Sequence, residues 1–218
     1  MTTDPIFFKN REVAAYRLLD VLPIDKMKLE DWTVLATSCS GYPIASIIAK
    51  ELNAKLDMMF SKKIYAANNN ECEIAIVTEA EEVLIHEELV KSFDIDLDLI
   101  YGQSKYLFEN ELSYEVSKFR NEATLTNLNE RNILLIDEGL NTGLTMMACI
   151  KSAIKLGAKS ISVATPLIPS ASIKTIELIA DDLYYIKKLD HFISINFYYD
   201  TLEEIKFKDI ETIKKGLK

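Results

Sequence analysis

The 218-residue chain contains 49% hydrophobic and 27% charged residues, the balance of a globular protein with a substantial buried core. Its formal net charge of −9 argues against a broad nucleic-acid or anionic-membrane surface, because such surfaces need clustered lysine and arginine. A small phosphate ester is not excluded, since backbone N–H groups can bind it.

The cysteines and the N-terminal residues bear on the expected location. Cys39, Cys72 and Cys149 are odd in number and widely spaced, which favours neither a disulfide framework nor a zinc site. Residues 1–5 lack the basic start and apolar run of a signal peptide, and no apolar stretch approaches the ~20 residues of a membrane-spanning helix. We therefore expect a reduced, cytoplasmic protein with no membrane partner, and the lack of repeats or linkers predicts a single domain over residues 1–218.

The first quarter of the chain predicts a helix, a strand, a tight loop and a second helix. Residues 10–21 have apolar positions near helical spacing. The apolar run 32–37 ends in the small-residue loop 38–41, and Pro43 suits the first turn of a helix that continues to Leu52.

The middle of the chain predicts short strands followed by a helical insertion. Residues 56–60 and 73–78 have strand composition on either side of a polar loop at 68–70, and residues 83–85 extend the pattern. From residue 86 to about 120 the pattern is helical, with a break or kink expected at Gly102.

The second half of the chain alternates strands with helices. Ile133–Ile136 is a continuous apolar run, as expected for a parallel strand buried on both faces. The remaining predicted elements are a helix over 144–156, a strand over 161–164, a helix over 171–180, a strand over 183–186 and a helix over 201–215. This order predicts an α/β fold, a parallel sheet flanked by helices and joined by right-handed crossovers.

The loop after Ile136 carries the residues best suited to chemistry. Asp137 and Glu138 follow a buried strand, and ionised carboxylates accept hydrogen bonds from vicinal hydroxyls such as those of a ribose. Loop 38–41 also follows a buried strand, so both loops are expected at the carboxyl edge of the sheet, where ligands of such folds collect.

The helix that begins near Leu144 offers a phosphate site. Its N-terminus presents unpaired N–H groups and the positive end of the helix dipole, and Thr142 and Thr145 add hydroxyl donors. The alternative is that Asn141 or Thr145 only caps the helix and the acidic pair only ends the strand. Neither a Walker A loop nor a GxGxxG dinucleotide motif is present.

Residues 133–145 resemble the phosphoribosyl-pyrophosphate signature of the type I phosphoribosyltransferases. The resemblance extends over most of the chain, to a bacterial branch of predicted phosphoribosyltransferases. It is supported by weaker matches at 8–12, 41–45, 62–64, 86–89, 163–166 and 197–200.

The resemblance implies a type I phosphoribosyltransferase fold with a small hood, and a site whose catalytic residues are Asp137 and Glu138. The substrate-binding residues it implies are Gly139, Leu140, Asn141, Thr142, Gly143, Leu144 and Thr145 for the 5-phosphate, and Ser38, Cys39, Ser40, Gly41 and Lys63 for pyrophosphate. Mg²⁺ would bridge pyrophosphate and ribose oxygens, the second substrate would be an acceptor base, and homo-oligomerisation through the 86–120 helices is expected from family habit.

Two further features leave alternatives open. Phe192, Phe197, Tyr198 and Tyr199 offer either a stacking face for a nucleobase in the hood or ordinary core. Cys39 as a nucleophile would need a base, and His86 and His191 are the only candidates in the sequence.

The sequence departs from the branch at the pyrophosphate loop, where Cys39-Ser40-Gly41 stands in place of an Arg-Gly-Gly type sequence. The loss of a guanidinium removes a bidentate phosphate donor. Three functions follow: an active Mg²⁺-dependent phosphoribosyltransferase, a non-catalytic regulatory protein that binds phosphoribosyl pyrophosphate or a nucleotide, and a scaffold without a ligand.

Overall fold

The structure, a computed structural model, describes residues 7–67 and 69–216, and within them two β-sheets pack with α-helices. The strands are β1 (Trp32–Ala36), β2 (Lys55–Met58), β3 (Ser61–Ala66), β4 (Asn69–Thr78), β5 (Val83–Ile85), β6 (Asn132–Ile136), β7 (Ser160–Pro169) and β8 (Asp182–Leu189). The α-helices are α1 (Arg11–Leu19), α2 (Ile24–Met27), α3 (Tyr42–Leu52), α4 (Glu87–Ser92), α5 (Leu97–Leu107), α6 (Ser113–Arg120), α7 (Leu144–Lys155), α8 (Ser170–Glu177) and α9 (Phe207–Gly216). A π-helical turn spans Phe108–Leu112, and a 3-10 turn spans Ile195–Tyr198.

The larger sheet is parallel throughout, with strand order β2-β1-β6-β7-β8. Its central strands are buried on both faces because alternate side chains enter two different helical layers. Leu134 and Ile136 pack in the cluster that contains α1 and α3, whereas Ile133 and Leu135 pack in the cluster that contains α7. The predicted α/β fold, a parallel sheet flanked by helices, is confirmed.

The smaller sheet is antiparallel, with strand order β3-β4-β5. Its Ile76 packs against Leu144 and Ala148 of α7, so this sheet lies over the first turns of that helix. On the other side, Ile100 of α5 packs with Ile64 of β3. Helices α4 and α5 are therefore fixed to the smaller sheet through an apolar cluster that they share with it.

Two local predictions in this region are wrong. Residues 61–66 form a strand that the sequence did not indicate, because only one face of it, Ile64 and Ala66, is buried. Residues 69–70, expected in a polar loop with Asn68, begin β4; Asn68 itself lies outside the described residues.

The insertion is also divided differently from the prediction. Gly102 lies inside α5, and the helical run is interrupted instead at residues 93–96, where Asp94 has a φ of 51°. The last helix begins at Phe207 rather than at residue 201, and residues 1–5 lie outside the described part of the chain. No helix of the described residues is long and apolar enough to cross a membrane.

Arg120, the last residue of α6, is buried against two carboxylates. Its Nε lies 3.1 Å from Asp57 Oδ1, and its Nη1 lies 2.5 Å from Glu79 Oε2. Its Nη2 donates to the carbonyl of Met58 at 2.6 Å, and Glu79 Oε1 accepts from the N–H of Phe60 at 2.9 Å. This ion network ties the end of the insertion to the chain leaving β2.

Replacing Arg120 with Met should destabilise the protein by roughly 3–5 kcal/mol, because two buried carboxylates lose their cation. The free energy of unfolding in urea measures the loss. The control is Arg131→Met, which removes an ion pair with the exposed Asp31, an interaction worth about 0–1 kcal/mol. Equal losses in the two variants would contradict a structural role for the buried network.

Candidate functional site

The two loops expected to bind ligand leave the sheet at the same level. Ala36, the last residue of β1, pairs in register with Ile136, the last residue of β6. Ser38 Oγ then donates to Asp137 Oδ1 at 2.5 Å and accepts from the N–H of Gly41 at 2.9 Å. One hydroxyl thus links the acidic pair to the backbone of loop 38–41.

Gly41 is required at this junction because of how closely the two chains approach. A Cβ at residue 41 would lie 2.7 Å from Asp137 Oδ1, 2.8 Å from Asp137 Cα and 3.0 Å from the carbonyl oxygen of Ile136. Two of these atoms belong to the backbone of a buried strand end, which cannot move aside easily. Gly41 is also the N-cap of α3, and Pro43 lies in the first turn of that helix as predicted.

Arg11 of α1 forms hydrogen bonds with loop 38–41 from outside the described lining of the cavity. Its Nε donates to the carbonyl of Ser40 at 2.9 Å, and its Nη2 donates to Ser40 Oγ at 3.1 Å. Arg11 is buried, and Asn10 places it by accepting the N–H of Val13 as the N-cap of α1. The sequence analysis missed this role, although residues 8–12 matched the family, because the contact joins residues 29 positions apart.

The acidic pair is buried at the strand end. Both Asp137 and Glu138 are less than one-tenth exposed, and the hydroxyl of Tyr199 donates to the carbonyl of Glu138 at 2.7 Å. Burial and the neighbouring charge of Asp137 raise the pKa of Glu138 well above its usual value. The charge of Arg11 opposes this rise without cancelling it.

The loop after Glu138 ends in a glycine with a left-handed backbone conformation. Gly143 has a φ of 79° and precedes α7, whose first N–H groups have no partners within the helix. The Thr142 hydroxyl accepts the N–H of Leu144 at 3.2 Å, and the Thr142 carbonyl accepts from Ser172 Oγ at 3.1 Å. Thr142 itself is exposed and Thr145 is half-buried, so both are reachable from solvent.

A cavity of about 500 Å³ opens between these loops and the smaller sheet. Of the predicted site residues it brings together Ser38, Cys39, Lys63, Asp137, Glu138, Gly139, Leu140, Asn141, Thr142, Gly143, Leu144 and Thr145. Ser40 and Gly41 lie outside the described lining of the cavity. Ser40 instead accepts a hydrogen bond from Arg11, and Gly41 contacts the chain at the end of β6.

The cavity also contains ion pairs that the sequence analysis did not identify. Lys63 of β3 lies 2.8 Å from Glu73 of β4, whose other carboxylate oxygen is buried with no partner among the described residues. Lys62 lies 2.6 Å from Glu115 of α6. No local pattern links these residues, because the pairs form only when β3, β4 and the insertion have packed.

The aromatic residues of the expected hood are mainly core. Tyr198 and Tyr199 are buried, and Phe197 packs edge-on against Tyr198 with ring centroids 5.3 Å apart. The hydrophobic residues that line the cavity near this region are instead Ile195 and Phe207.

Cys39 lines the cavity as a half-buried thiol. Burial and the charge of Glu115 raise its pKa, the opposite of what a nucleophilic cysteine needs. His86 accepts the N–H of Leu89 at the start of α4, and the His191 carbonyl accepts from Tyr198. Neither contact ties a histidine to Cys39.

The fold and the site together place a cavity, lined by an acidic pair and a helix N-terminus, at the carboxyl edge of a parallel sheet, where ligands of such folds collect. A family model described as the phosphoribosyl transferase domain matches residues 14–199. The chain therefore belongs to the phosphoribosyltransferase family, as its resemblance to the type I enzymes implied.

Two further comparisons agree with this assignment. A Mycobacterium tuberculosis protein whose name places it among the phosphoribosyl transferases, found in strains CDC 1551 and H37Rv, is 26% identical over 153 residues. The match covers 69% of this chain and 34% of that protein, so the chain spans about a third of the length of the curated relatives it matches. The crystal structure of TT1426 from Thermus thermophilus superposes with a TM-score of 0.72 at 19% identity, over 94% of this chain and 96% of that one, which shows the shared fold.

Gly41→Ala should destabilise the protein by roughly 1–3 kcal/mol, because the new methyl group meets backbone atoms of Asp137 and Ile136. The matched control is Gly102→Ala in α5, where a Cβ meets nothing within 4 Å. This second change should stabilise by about 0.5–1 kcal/mol, because alanine favours a helix interior. Urea unfolding measures both, and a neutral Gly41→Ala would show that the loop tolerates separation from Asp137.

Glu138→Gln should stabilise the protein more at pH 8 than at about pH 4. Below the ordinary glutamate pKa of 4.5, the Glu138 carboxyl is protonated in both the folded and the unfolded chain, so the substitution changes the melting temperature little. Above pH 4.5 the Glu138 carboxyl ionises first in the unfolded chain, because its pKa is raised in the folded chain. Ionisation therefore lowers the free energy of unfolding, and glutamine, which cannot ionise, removes this loss. We expect a gain in melting temperature of roughly 2–4 °C at pH 8.

The control for this measurement is Glu177→Gln, at an exposed position on α8. Because this side chain is exposed, the substitution should change the melting temperature little at either pH. A pH-independent effect of Glu138→Gln would contradict a raised pKa in the folded state.

Proposed function

We propose that the protein is a phosphoribosyltransferase that moves ribose 5-phosphate from 5-phosphoribosyl-1-pyrophosphate to a nitrogen nucleophile such as a nucleobase. The observation that carries the proposal is the link between Ser38 and Asp137, which sets the acidic pair and loop 38–41 side by side on one cavity. The family assignment supports the reaction class, and the activity of this chain is the part to be tested.

Each part of the donor has a chemically suitable partner in the cavity. Asp137 and Glu138 accept hydrogen bonds from the ribose 2- and 3-hydroxyls. The backbone of 139–145 with Thr142 and Thr145 receives the 5-phosphate at the N-terminus of α7. Backbone N–H groups of loop 38–41 and Lys63 face the pyrophosphate, so the three groups of one ligand are held at three separate points.

Magnesium fits the site as an ion that arrives with the donor. Within the described residues no three histidine, cysteine, aspartate or glutamate side chains form a group able to hold a metal. Mg²⁺ commonly uses one or two carboxylates and completes its shell with water and substrate phosphates. Asp137 and Glu138 are the carboxylates beside the donor oxygens, and the bound ion would stabilise the charge that develops on the leaving pyrophosphate.

In the proposed transfer, the bond between the anomeric carbon and pyrophosphate breaks and a bond to the acceptor nitrogen forms. The proton on that nitrogen passes to the departing pyrophosphate or to water. Positive charge develops at the anomeric carbon, and the two carboxylates next to the sugar stabilise it in a water-poor site. Burial of the Glu138 carboxylate therefore lowers the stability of the fold. In the proposed reaction the same buried carboxylate stabilises the positive charge at the anomeric carbon.

A second function has one specific observation in its favour. Loop 38–41 presents the neutral side chains of Ser38 and Cys39 to the cavity, and the guanidinium of Arg11 binds the loop at Ser40, outside the described lining of the cavity. If these neutral groups bind pyrophosphate too weakly for turnover, the protein would be a non-catalytic regulatory protein. It would bind phosphoribosyl pyrophosphate or a nucleotide and report the concentration of that ligand to a partner.

One experiment separates these functions. Phosphoribosyl pyrophosphate with Mg²⁺ is titrated into the protein by calorimetry, and a panel of nucleobases is then screened for pyrophosphate release. Binding followed by release with one base establishes the transferase. Binding without release across the panel favours the regulatory protein, and no binding leaves only a scaffold.

The assignment of the acidic pair is tested with the double variant Asp137→Asn/Glu138→Gln. Its affinity for ribose 5-phosphate should fall at least about tenfold, because charge-assisted hydrogen bonds contribute roughly 1.5–3 kcal/mol each. The matched ligand is 2-deoxyribose 5-phosphate, which lacks one hydroxyl of the diol. Wild-type protein should prefer ribose 5-phosphate, and the double variant should bind the two sugars about equally; an unchanged preference would reject the diol contact.

A further inference from the structure

Three residues that the donor does not need line the same cavity. They are Lys62 of β3, Glu115 of α6 and Phe207 at the start of α9. The thiol of Cys39 is within electrostatic reach of Glu115 and Lys62, so this group lies beside the proposed pyrophosphate loop. Three separate chain segments meet here, and one of them is the helical insertion.

Lys62 and Glu115 offer a hydrogen-bond donor and an acceptor side by side. Lys62 Nζ lies 2.6 Å from Glu115 Oε1 and 3.1 Å from Glu111 Oε2, which uses two of its three N–H bonds. The third can donate to a ligand carbonyl or ring nitrogen. The carboxylate of Glu115 is partly exposed and has further lone pairs for a ligand N–H.

The charge of the cavity is unfavourable to an additional carboxylate. Its described lining carries four carboxylates and two ammonium groups, and Lys62 and Lys63 are each already paired with a glutamate, Glu115 and Glu73. An acceptor with its own carboxylate would enter near Glu115 and Glu138 without an uncommitted cation to meet it. Like charges placed together at a dehydrated contact are strongly disfavoured.

Phe207 contributes a flat apolar surface. It is half-buried, and its ring stacks on Phe60 with centroids 5.8 Å apart and an interplanar angle of 11°. Phe60 is held in turn by the guanidinium of Arg120, 5.5 Å from its centroid. A ring whose plane is fixed in this way suits a planar ligand.

We propose that Lys62, Glu115 and Phe207 form the acceptor subsite, and that it takes an uncharged nitrogen heterocycle with an adjacent hydrogen-bond donor and acceptor while rejecting carboxylate-bearing heterocycles. This inference rests on the proposed function. It attributes the choice of acceptor to side chains of β3, α6 and α9. Because α6 belongs to the helical insertion, the insertion contributes to substrate specificity as well as to packing.

The test uses nucleoside monophosphates, which join the ribose 5-phosphate to the heterocycle and do not react without pyrophosphate. Uridine 5′-monophosphate and orotidine 5′-monophosphate differ by one carboxylate, and inosine 5′-monophosphate supplies a larger uncharged ring. In wild-type protein the tighter of the two uncharged nucleotides should bind at least about fivefold tighter than ribose 5-phosphate. Orotidine 5′-monophosphate should bind at least about tenfold weaker than that nucleotide.

Glu115→Gln should reduce the discrimination against orotidine 5′-monophosphate to less than about threefold, because one repelling charge is removed. Affinity for ribose 5-phosphate should not change. The matched control is Glu111→Gln, which removes a charge from the same lysine at a residue outside the described lining of the cavity. That variant should discriminate like wild-type protein.

The outcomes separate the inference from the proposed function. If ribose 5-phosphate does not bind wild-type protein, the proposed function fails and the inference fails with it. If ribose 5-phosphate binds, three results would overturn the inference alone: uncharged nucleotides no tighter than the sugar phosphate, equal or tighter binding of orotidine 5′-monophosphate, or unchanged discrimination in Glu115→Gln.

Discussion

The contact between the backbone of Gly41 and the strand end at Asp137 is the constraint on which the site depends. Ala36 and Ile136 pair in register, so the two loops begin at the same level, but register alone would leave them apart. The missing side chain at residue 41 lets the loops touch, and Ser38 Oγ joins them with a hydrogen bond at each end. In the proposed function, a sugar bound by the acidic pair would have its leaving group next to loop 38–41.

The parts of this arrangement that follow from local pattern were predictable from the sequence. The buried run Ile133–Ile136, the acidic pair after it and the helix at Leu144 appear where expected, because strand burial and helix initiation are local signals. Strand β3 was missed because only Ile64 and Ala66 of it are buried and two consecutive lysines precede them, and the break expected at Gly102 was wrong because a helix tolerates an exposed glycine. Arg11, Lys62 and Glu115 were beyond local analysis, since each acts through a partner 29 or more positions away.

The electrostatics of the cavity create a conflict between ligand and site. The proposed donor is polyanionic, yet the described lining holds more carboxylates than ammonium groups, and both lysines are paired. The helix N-terminus and the backbone N–H groups relieve the conflict at the phosphate, because they bring partial positive charge without a side chain. At the leaving group of the proposed donor, a divalent cation bound to the substrate would supply this positive charge.

The position of Arg11 bears on how tightly the proposed leaving group would be held. Its guanidinium donates to the carbonyl and the hydroxyl of Ser40, and these bonds shape loop 38–41 from the side away from the cavity. In the proposed function, a cation used in this way would order the backbone N–H groups that meet pyrophosphate without binding pyrophosphate itself. The sugar would then be bound by charge-assisted hydrogen bonds, whereas the protein would meet the leaving group mainly with neutral donors, which are roughly half as strong. Such a site would hold the donor at its sugar and release the leaving group easily, so the absence at Cys39 of the arginine that the resemblance implies would slow the return of pyrophosphate rather than its departure.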